Sequence, residues 1–281
     1  MKEMSFDNLK EKTCIITGGG GVIGQALARG IASVGIKVAI LDIVEETALK
    51  AVENIRNDFG VDAIGLKADV LSLESMKEAY TKVKSEFGRV DFLINGAGGN
   101  SPKATTNFEF IEEGVDLKET FFGLDIEGFD WVFNLNFKGT LIPTMVIAED
   151  MVKSKQGIIL NISSMNAFKP LTKIPAYSAA KASINNFTEW LAVHFAKSNI
   201  RVNAIAPGFF VTNQNRFLLY DKETNQLTPR GKKILDGTPM GKFGEIDDLI
   251  GTTLYLLSDL SKFVTGVVIP VDGGFNAYSG V

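Results

Sequence analysis

Thr17-Gly18-Gly19-Gly20-Gly21-Val22-Ile23-Gly24 joins a short apolar run, Thr13–Thr17, to a run with helical spacing, Gln25–Val34. Glycines at a strand-to-helix turn let backbone N–H groups approach a phosphate closely, and the positive end of the helix dipole favours its negative charge. A glycine string alone also fits a flexible turn, but here the strand, the glycines and the helix come in the order that phosphate binding requires. The stretch therefore predicts a loop that binds the phosphates of a nucleotide.

Apolar β-branched runs alternate with segments of helical spacing from Thr13 to about Ile205. This alternation is typical of βαβ units, in which a parallel sheet carries helices on both faces. The runs that we predict as strands are Thr13–Thr17, Lys37–Leu41, Ala63–Leu66, Val90–Ile94, Gly157–Ile162, Ile200–Ile205 and Gly266–Val271. The helical patterns include Glu45–Phe59, Ser72–Phe87 and Ala176–Ser198.

The predicted fold class is α/β, with a Rossmann-like, doubly wound, seven-stranded parallel sheet and helices on both of its faces. A length of 281 residues fits either two domains or one domain with an appendage. Because the βα alternation runs through most of the chain, we expect a single domain over residues 1–281. Two longer connections, Gly98–Gly128 and Pro207–Glu245, follow the carboxyl ends of strands, where open α/β sheets bind ligands, so we interpret them as substrate-side loops.

The composition excludes several classes of protein. With 29 basic and 33 acidic residues the net charge is −4, which lacks the basic surface of a nucleic-acid-binding protein. Cys14 and His194 are the only cysteine and histidine, so a disulfide framework and a Cys/His zinc cluster are excluded, no metal is expected, and a Ser-His-Asp triad would need His194. No secretory signal or apolar run of about 18 residues is present, which predicts a cytoplasmic protein with no membrane partner.

Polar residues that follow the second, third and fourth strands indicate which nucleotide is bound. Asp42 ends the second strand, where a carboxylate accepts hydrogen bonds from ribose hydroxyls and repels a 2′-phosphate; this favours NAD over NADP. Asp42 also fits the N-cap of the next helix, and Asp69 fits either a contact with adenine or a helix cap. Asn95, Gly96 and Ala97 follow the fourth strand, on the path that a nucleotide would take across the strand ends.

Tyr177-Ser-Ala-Ala-Lys181 places a phenol and an ammonium four residues apart, on one face of a predicted helix. The spacing is common, and Tyr80 and Lys84 repeat it within a helical pattern that we interpret as a solvated face. Tyr177 differs because the strand Gly157–Ile162 ends in Ser163-Ser164, at the ligand edge of the sheet. The two serines would otherwise form an ordinary loop turn.

These residue types suit hydride transfer between a carbinol and nicotinamide. Such a reaction needs a group that takes or gives the hydroxyl proton, and tyrosine, whose pKa is near ~10, is too weak a base without help. The cations of Lys181 and of oxidised nicotinamide favour the phenolate, and Ser164 would hold the substrate oxygen.

Together these motifs resemble the short-chain dehydrogenase/reductase family over nearly the whole chain. The segments that carry the resemblance are Thr17-Gly18-x-x-x-Val22-Ile23-Gly24, Asn95-Gly96-Ala97-Gly98, Asn136, Ser164, Tyr177-x-x-x-Lys181 and Pro207-Gly208. The resemblance implies that Ser164, Tyr177 and Lys181 are catalytic and that Asn136 positions a water that links Lys181 to solvent. It also implies NAD(P), no metal and a homotetramer.

The cofactor-binding residues that we expect from the motifs and the resemblance are Gly18, Gly21, Ile23, Asp42, Asp69, Val70, Asn95, Gly96, Ala97, Tyr177, Lys181, Pro207, Gly208 and Thr212. Two positions depart from the family pattern. Val22 replaces the second glycine of the loop, and Gly96 replaces an asparagine that helps to support the central strands.

Within the family, three segments look most like the bacterial D-mannonate oxidoreductase (fructuronate reductase) branch: residues 98–106, 164–175 and 207–216. A sugar acid needs a cation for its carboxylate and amides for its hydroxyls. The candidates in these segments are Asn100, Lys103, Asn166, Lys169, Lys173, Gln214 and Arg216, with Arg216 preferred for the carboxylate because a guanidinium can bind it through two parallel bonds.

The leading hypothesis is an NAD-dependent sugar-acid oxidoreductase. The alternatives are a reductase of another polyol or keto sugar, similar to gluconate 5-dehydrogenase, a reductase of a 3-ketoacyl thioester, and a nucleotide-binding scaffold without turnover. The polar segment Asn213-Gln214-Asn215 argues against an acyl chain. The presence of Asn136, Ser164, Tyr177 and Lys181 argues against a mere scaffold.

Overall fold

A computed structural model of the chain describes residues 5–212 and 215–280. Seven parallel strands form one sheet in the order β3-β2-β1-β4-β5-β6-β7. The strands are β1 (Thr13–Thr17), β2 (Lys37–Asp42), β3 (Ala63–Lys67), β4 (Phe92–Asn95), β5 (Gly157–Ile162), β6 (Ile200–Pro207) and β7 (Val268–Val271). The predicted fold class is confirmed, because the sheet is parallel and carries helices on both faces.

The helices cover the two faces through separate apolar cores. They are α1 (Val22–Ala32), α2 (Glu45–Phe59), α3 (Leu73–Phe87), α4 (Ile126–Phe133), α5 (Gly139–Ser154), α6 (Pro175–Phe195), α7 (Arg216–Leu219), α8 (Pro229–Asp236) and α9 (Asp248–Leu257). On one face, Ile31 of α1, Ile55 of α2 and Leu256 of α9 pack together. On the other, α3, α5 and α6 contribute Met76, Ile147 and Leu191. Burial on both faces explains why the strand sequences are continuously apolar.

The chain reverses the direction of sheet growth at β1. From β1 it adds β2 and then β3 on one side, and it then crosses back to place β4 on the other side of β1. In open α/β sheets this reversal opens a crevice outside the carboxyl ends of the two central strands, where ligands bind. The loop after Thr17 and the residues after Asn95, whose Cα atoms are partners in the register, border that crevice.

Element boundaries differ from the prediction where side chains or backbone angles intervene. The predicted strand Val90–Ile94 spans Phe92–Asn95 instead, and the buried Asp91 carboxylate just before it accepts a hydrogen bond from the backbone of Thr13 at 3.0 Å. The predicted strand Gly266–Val271 starts at Val268, after Gly266, whose φ is +78°. Between α4 and α5 lies a π-helical turn, Asn134–Lys138, which the helical spacing of the sequence does not predict.

In the second tyrosine–lysine pair the predicted solvated face holds for Lys84, whose side chain is exposed, and is wrong for Tyr80. Tyr80 is only 9% exposed and packs among the apolar residues of α3 and α5. Its hydroxyl donates a hydrogen bond to Asp150 at 3.0 Å, and Lys84 forms an ion pair with the same carboxylate at 2.5 Å. Burial raises the pKa of Tyr80, and the bond to Asp150 raises it further. Tyr80 therefore links two helices and is not exposed to solvent.

Within the described residues, the two long connections that we interpret as substrate-side loops contain only short helical segments. Residues 98–128 include short 3₁₀ turns at Pro102–Ala104, Leu117–Glu119 and Phe121–Gly123. Residues 207–245 contain α7 and α8, which pack against each other. No helix within residues 5–212 and 215–280 combines the length and the apolar character needed to cross a membrane.

A buried ladder of polar side chains joins the centre of the sheet to α6. Asn95 on β4 donates to Asn161 on β5 at 2.9 Å, and Asn161 donates to Thr188 on α6 at 2.9 Å. All three residues are at most 1% exposed. A buried donor that loses its acceptor keeps its desolvation cost, so the ladder fixes how α6 sits against the sheet.

We predict that Thr188→Val lowers the free energy of unfolding by about 1–3 kcal/mol, since it leaves the Asn161 amide without its acceptor at nearly constant volume. Urea unfolding followed by circular dichroism measures the change. Thr81→Val is the matched control: Thr81 also bonds the carbonyl four residues earlier in its helix, but it is exposed. The control should change stability by less than about 0.5 kcal/mol. Equal effects of the two substitutions would show that the ladder adds nothing.

Candidate active site

The glycine loop and the end of β4 are in direct contact. The Thr17 hydroxyl accepts hydrogen bonds from the backbone N–H groups of Gly96 at 3.2 Å and of Ala97 at 3.3 Å. Gly18 has φ +63°, and a Cβ there would lie 2.7 Å from the Cα of Ala97. Glycine is therefore required at position 18, both by the backbone angle and by the space.

The start of α1 has the properties of an anion site. Gly21 is the N-cap and supplies no side-chain acceptor to the first backbone N–H groups of the helix. Val22, which replaces the family's second glycine, is the first helical residue. Ile23 packs against the apolar core of this face. The loop therefore presents helix N–H groups and a positive dipole end, which fits the pyrophosphate of a dinucleotide.

Asp42 holds the glycine loop in place. One of its carboxylate oxygens accepts from the backbone N–H of Gly20 at 2.9 Å, and the other accepts from Val44 at 3.0 Å. The side chain is not the N-cap of α2, because that position is taken by Val44. A carboxylate can accept more than two hydrogen bonds, so Asp42 keeps the capacity to accept from a ribose.

Three other cofactor candidates have structural roles. The Asp69 carboxylate accepts from the backbone N–H of Leu71 at 2.9 Å, within the turn before α3. Val70 is buried in the apolar core of its face. The buried side chain of Asn95 donates to Asn161 and Thr144 inside the sheet, so only the backbone of Asn95 is left for the predicted cofactor contact. The backbone of Gly96 and Ala97 borders the glycine loop.

The candidate catalytic side chains meet at the carboxyl end of β5. Lys181 is 5% exposed, and its Nζ donates to the carbonyl oxygen of Ile162, the last residue of β5, at 2.7 Å. The same Nζ lies 5.6 Å from the ring centroid of Tyr177. Ser164 follows Ile162 by two residues and accepts from the backbone N–H of Asn166 at 3.2 Å. The structure thus brings Ser164, Tyr177 and Lys181 together.

Burial dominates the electrostatics of this group. It lowers the pKa of Lys181 to about 8, because the ammonium is taken out of water. It raises the pKa of Tyr177, while the hydrogen bond with Ser164 lowers it. The sequence predicts that neighbouring cations favour the phenolate of Tyr177. The protein's own groups instead raise the pKa of Tyr177, because desolvation of the phenolate outweighs the hydrogen bond with Ser164.

Asn136 connects the site to the loop that follows β4. It lies in the π-helical turn, where its amide nitrogen donates to the carbonyl of Gly99 at 2.7 Å and to that of Val132 at 2.8 Å. A Cβ on Gly98 would lie 2.6 Å from Oδ1 of Asn136 and 3.3 Å from Nζ of Lys181. The backbone of Gly98 therefore fills the space between these two side chains, and a larger residue would separate them.

The loop after β6 carries the remaining cofactor candidates. Pro207 is the last residue of β6, and Gly208 donates its N–H to Val271 at 2.9 Å. A Cβ on Gly208 would lie 2.6 Å from the Cα of Asp272, so glycine allows this close packing. The half-buried Thr212 donates its backbone N–H to Oδ1 of Asn215, in the same turn, at 2.8 Å.

The substrate candidates have varied surroundings. Arg216 is exposed; it donates to Asn225 at 2.9 Å and lies 4.8 Å from the ring centroid of Tyr220, so it has partners within its own loop. Lys169 donates to the carbonyl of Tyr278 at 2.5 Å. Asn166 is buried, and its Oδ1 has no hydrogen-bond partner. Asn213 and Gln214 lie outside the described residues.

Asn100 and Lys103 lie in the loop after β4 and are exposed. Asn100 donates to Thr105 at 3.2 Å, and Lys103 lies 4.0 Å from Asp125.

One charged cluster was missed by the sequence reasoning. Lys233 of α8 forms an ion pair with Glu109, which lies in the loop after β4. Lys233 and Arg230 lie in a basic stretch, Arg230-Gly231-Lys232-Lys233. The ion pair of Lys233 with Glu109 joins residues 124 positions apart, so it leaves no local pattern in the sequence.

Similar proteins are known for nearly the full length of the chain. An oxidoreductase of uncharacterised activity from Haemophilus influenzae is 54% identical and spans 98% of this chain and 96% of its own. A 2-dehydro-3-deoxy-D-gluconate 5-dehydrogenase from Dickeya dadantii is 34% identical, over 96% of this chain and 97% of its own. A crystal structure with bound NAD, of a Haemophilus influenza protein provisionally named D-mannonate oxidoreductase, has 53% identity and a TM-score of 0.93, over 98% and 99% of the two chains.

The sequence profile of the family described as short chain dehydrogenase matches residues 12–222. This range includes the glycine loop, Asn136, Ser164, Tyr177 and Lys181. The resemblance inferred from the motifs is confirmed: the chain belongs to the short-chain dehydrogenase family of oxidoreductases.

Proposed function

We propose that the protein transfers a hydride between NAD(H) and a sugar acid, most closely the pair D-mannonate and D-fructuronate. The observation that carries the proposal is the meeting of Ser164, Tyr177 and Lys181 at the carboxyl end of β5, beside the crevice that the glycine loop borders. The similarity to a provisionally named D-mannonate oxidoreductase with bound NAD supports both the cofactor and the substrate class. The similarity to a 2-dehydro-3-deoxy-D-gluconate 5-dehydrogenase also favours a sugar acid.

In the proposed mechanism the protein's own groups handle the proton. The Ser164 hydroxyl binds the substrate oxygen and fixes the carbon that reacts. Tyr177 takes the hydroxyl proton during oxidation and returns it during reduction. Bound nicotinamide supplies the hydride acceptor or donor, and its positive oxidised ring favours the tyrosinate.

Lys181 is suited to pass the proton on. Because burial lowers its pKa to about 8, its ammonium gives up a proton more readily than an exposed lysine does. Asn136 lies on the other side of Gly98, and it would position a water that carries the proton to solvent. The pair would thus serve as the relay that the family resemblance implies.

The homotetramer implied by the resemblance stays a prediction. A groove of about 470 Å³ between α5 and α6 has a largely apolar lining that includes Met145 and Trp190, both more than half exposed. His194 stacks on Trp190 with 4.6 Å between the ring centroids. Glu149 and Lys153, which form an ion pair with each other, also line the groove, so a second copy would meet an apolar surface with a polar rim. A second copy of the chain is the occupant that we propose.

We expect Tyr177→Phe to lower kcat by about 10²–10⁴-fold, because the phenol transfers the proton, while NADH affinity stays within a few-fold. Steady-state kinetics and fluorescence titration of NADH measure the two effects. Tyr80→Phe is the matched control; it should keep kcat and lower the free energy of unfolding by about 1 kcal/mol through loss of the bond to Asp150. Activity of Tyr177→Phe within ten-fold of the parent would remove Tyr177 from the mechanism.

The Asp42 carboxylate should make the enzyme prefer NAD(H) to NADP(H). Asp42→Ala should lower kcat/KM with NAD and narrow the preference, since it removes a ribose acceptor and the repulsion of a 2′-phosphate. Asp42→Asn removes the charge but keeps one acceptor oxygen, so its preference should lie between those of the parent and of Asp42→Ala; its amide nitrogen cannot accept the bond from Gly20 or Val44 that the second carboxylate oxygen accepts. Kinetics with both cofactors test the prediction, and equal efficiency with NAD and NADP in the unmutated protein would contradict it.

The substrate class is tested by NADH oxidation with D-fructuronate, with the uncharged ketose D-fructose and with an acetoacetyl thioester. The expected order puts D-fructuronate first, with kcat/KM at least about ten-fold above the ketose, because a charge-assisted hydrogen bond to the carboxylate contributes that much. Tyr177→Phe serves as the inactive control. A faster reaction with the ketose or the thioester would favour the corresponding alternative, and no reaction with any of them would favour a nucleotide-binding scaffold.

A further inference from the structure

Three chain segments that surround the candidate site meet around one carboxylate, that of Glu109. Lys233 of α8 forms an ion pair with Glu109. The segment that leads into α6 joins them, because the backbone of Thr106 donates to the carbonyl of Lys173 at 2.9 Å and Lys173 Nζ donates to the carbonyl of Asn107 at 2.7 Å. We call Glu109, Lys173, Arg230 and Lys233 the Glu109 cluster.

The Glu109 cluster has an excess of positive charge. The hydrogen bond from Lys233 lowers the pKa of Glu109, and the charges of Lys173 and Arg230 lower it further. Lys233 contacts the Glu109 carboxylate, whereas Lys173 and Arg230 act on it through their charge, so these four residues together carry a net charge of +2. Such a group attracts a second anion, or exchanges its carboxylate for another one.

The position of the cluster is on the substrate side of the sheet. Its members come from the connections that follow β4, β5 and β6, all of which leave the carboxyl edge. Lys173 precedes Tyr177 by only four residues, and α6 begins between them at Pro175. A chain of four residues spans at most about 14 Å, so the backbone of Lys173 lies within that distance of the backbone of Tyr177.

The other cations proposed from the sequence have partners elsewhere. Arg216 contacts Asn225 and Tyr220 within its own loop, and Lys169 bonds a backbone carbonyl near the end of the described chain. Lys103 is 72% exposed and lies 4.0 Å from Asp125. Among the sequence candidates only Lys173 contributes to a group of several cations.

We propose that Lys173, Arg230 and Lys233 form the subsite for the carboxylate of the sugar acid, and that Glu109 occupies this subsite as an internal carboxylate until the substrate displaces it. The proposal rests on the proposed function. The exchange replaces one carboxylate by another, so the cations stay paired throughout. Because the Lys233 side chain is 68% exposed and that of Glu109 32%, their ion pair is weak and is readily broken.

The exchange also explains discrimination against uncharged sugars. An uncharged ketose has no group that replaces Glu109, so it gains nothing from the cluster. A sugar acid gains a charge-assisted contact with several cations and releases the Glu109 carboxylate to solvent.

The test compares Glu109→Gln with Lys233→Met, using D-fructuronate and D-fructose with saturating NADH. Glu109→Gln removes the competing carboxylate. It should lower KM for D-fructuronate several-fold while leaving KM for D-fructose unchanged. Lys233→Met should raise KM for D-fructuronate by about ten-fold or more and again leave D-fructose unchanged. Asp125→Asn is the matched control, because it removes one negative charge from the same loop outside the cluster and should alter neither KM.

A second measurement does not depend on turnover. In the Tyr177→Phe background with NADH bound, calorimetry should show tighter binding of D-fructuronate after Glu109→Gln and weaker binding after Lys233→Met. If Glu109 and Lys233 merely hold the two loops together, both variants will instead weaken the binding of D-fructuronate and of D-fructose equally. That result would overturn the inference. A parent enzyme that prefers D-fructose overturns the proposed function itself, whereas a parent that prefers D-fructuronate with unchanged KM in both variants overturns only the inference.

Discussion

A single hydrogen bond, from Lys181 Nζ to the carbonyl oxygen of Ile162, underlies the arrangement of the candidate active site. Within the described residues Lys181 forms no ion pair, so this carbonyl is the group that fastens the buried ammonium. The bond ties α6 to the last residue of β5. Ser164 follows that residue on the strand side, and Tyr177 precedes Lys181 by one helical turn. This bond therefore helps to fix Lys181 and Tyr177 relative to Ser164.

The polar ladder from Asn95 through Asn161 to Thr188 supports the same contact from inside the protein. It crosses β4, β5 and α6, the elements that carry the site, and leaves the crevice itself to backbone groups and to the glycine loop. These directional bonds resist sliding of α6 along the sheet more than an apolar contact would, because a shift would leave buried donors without acceptors. The central sheet and the catalytic helix are thus held at one register.

Much of the fold and the proton-transferring residues could be predicted because their signals are local. The first strand, the glycine loop and the first helix are adjacent in the sequence. A tyrosine and a lysine one helical turn apart can be identified as catalytic candidates once a strand is predicted to end near them. The side chain of Asn95 could not be placed, since whether it faces the crevice or the sheet interior depends on Asn161. The burial of Tyr80 depends on α5, and the neighbours of Glu109 depend on how two irregular loops meet. Such contacts join distant positions and leave no periodic trace.

The strand order has a consequence for how the chain is made. β1 gains its first neighbour when β2 is complete at Asp42, but its second neighbour, β4, ends only at Asn95. At about 5–20 residues per second, synthesis of the 53 residues between these points takes roughly 3–10 seconds. During that interval one edge of a fully buried apolar strand has no partner of its own, and an exposed edge of this kind pairs readily with other chains. The nascent protein therefore exposes an apolar strand edge well before any catalytic side chain has been added.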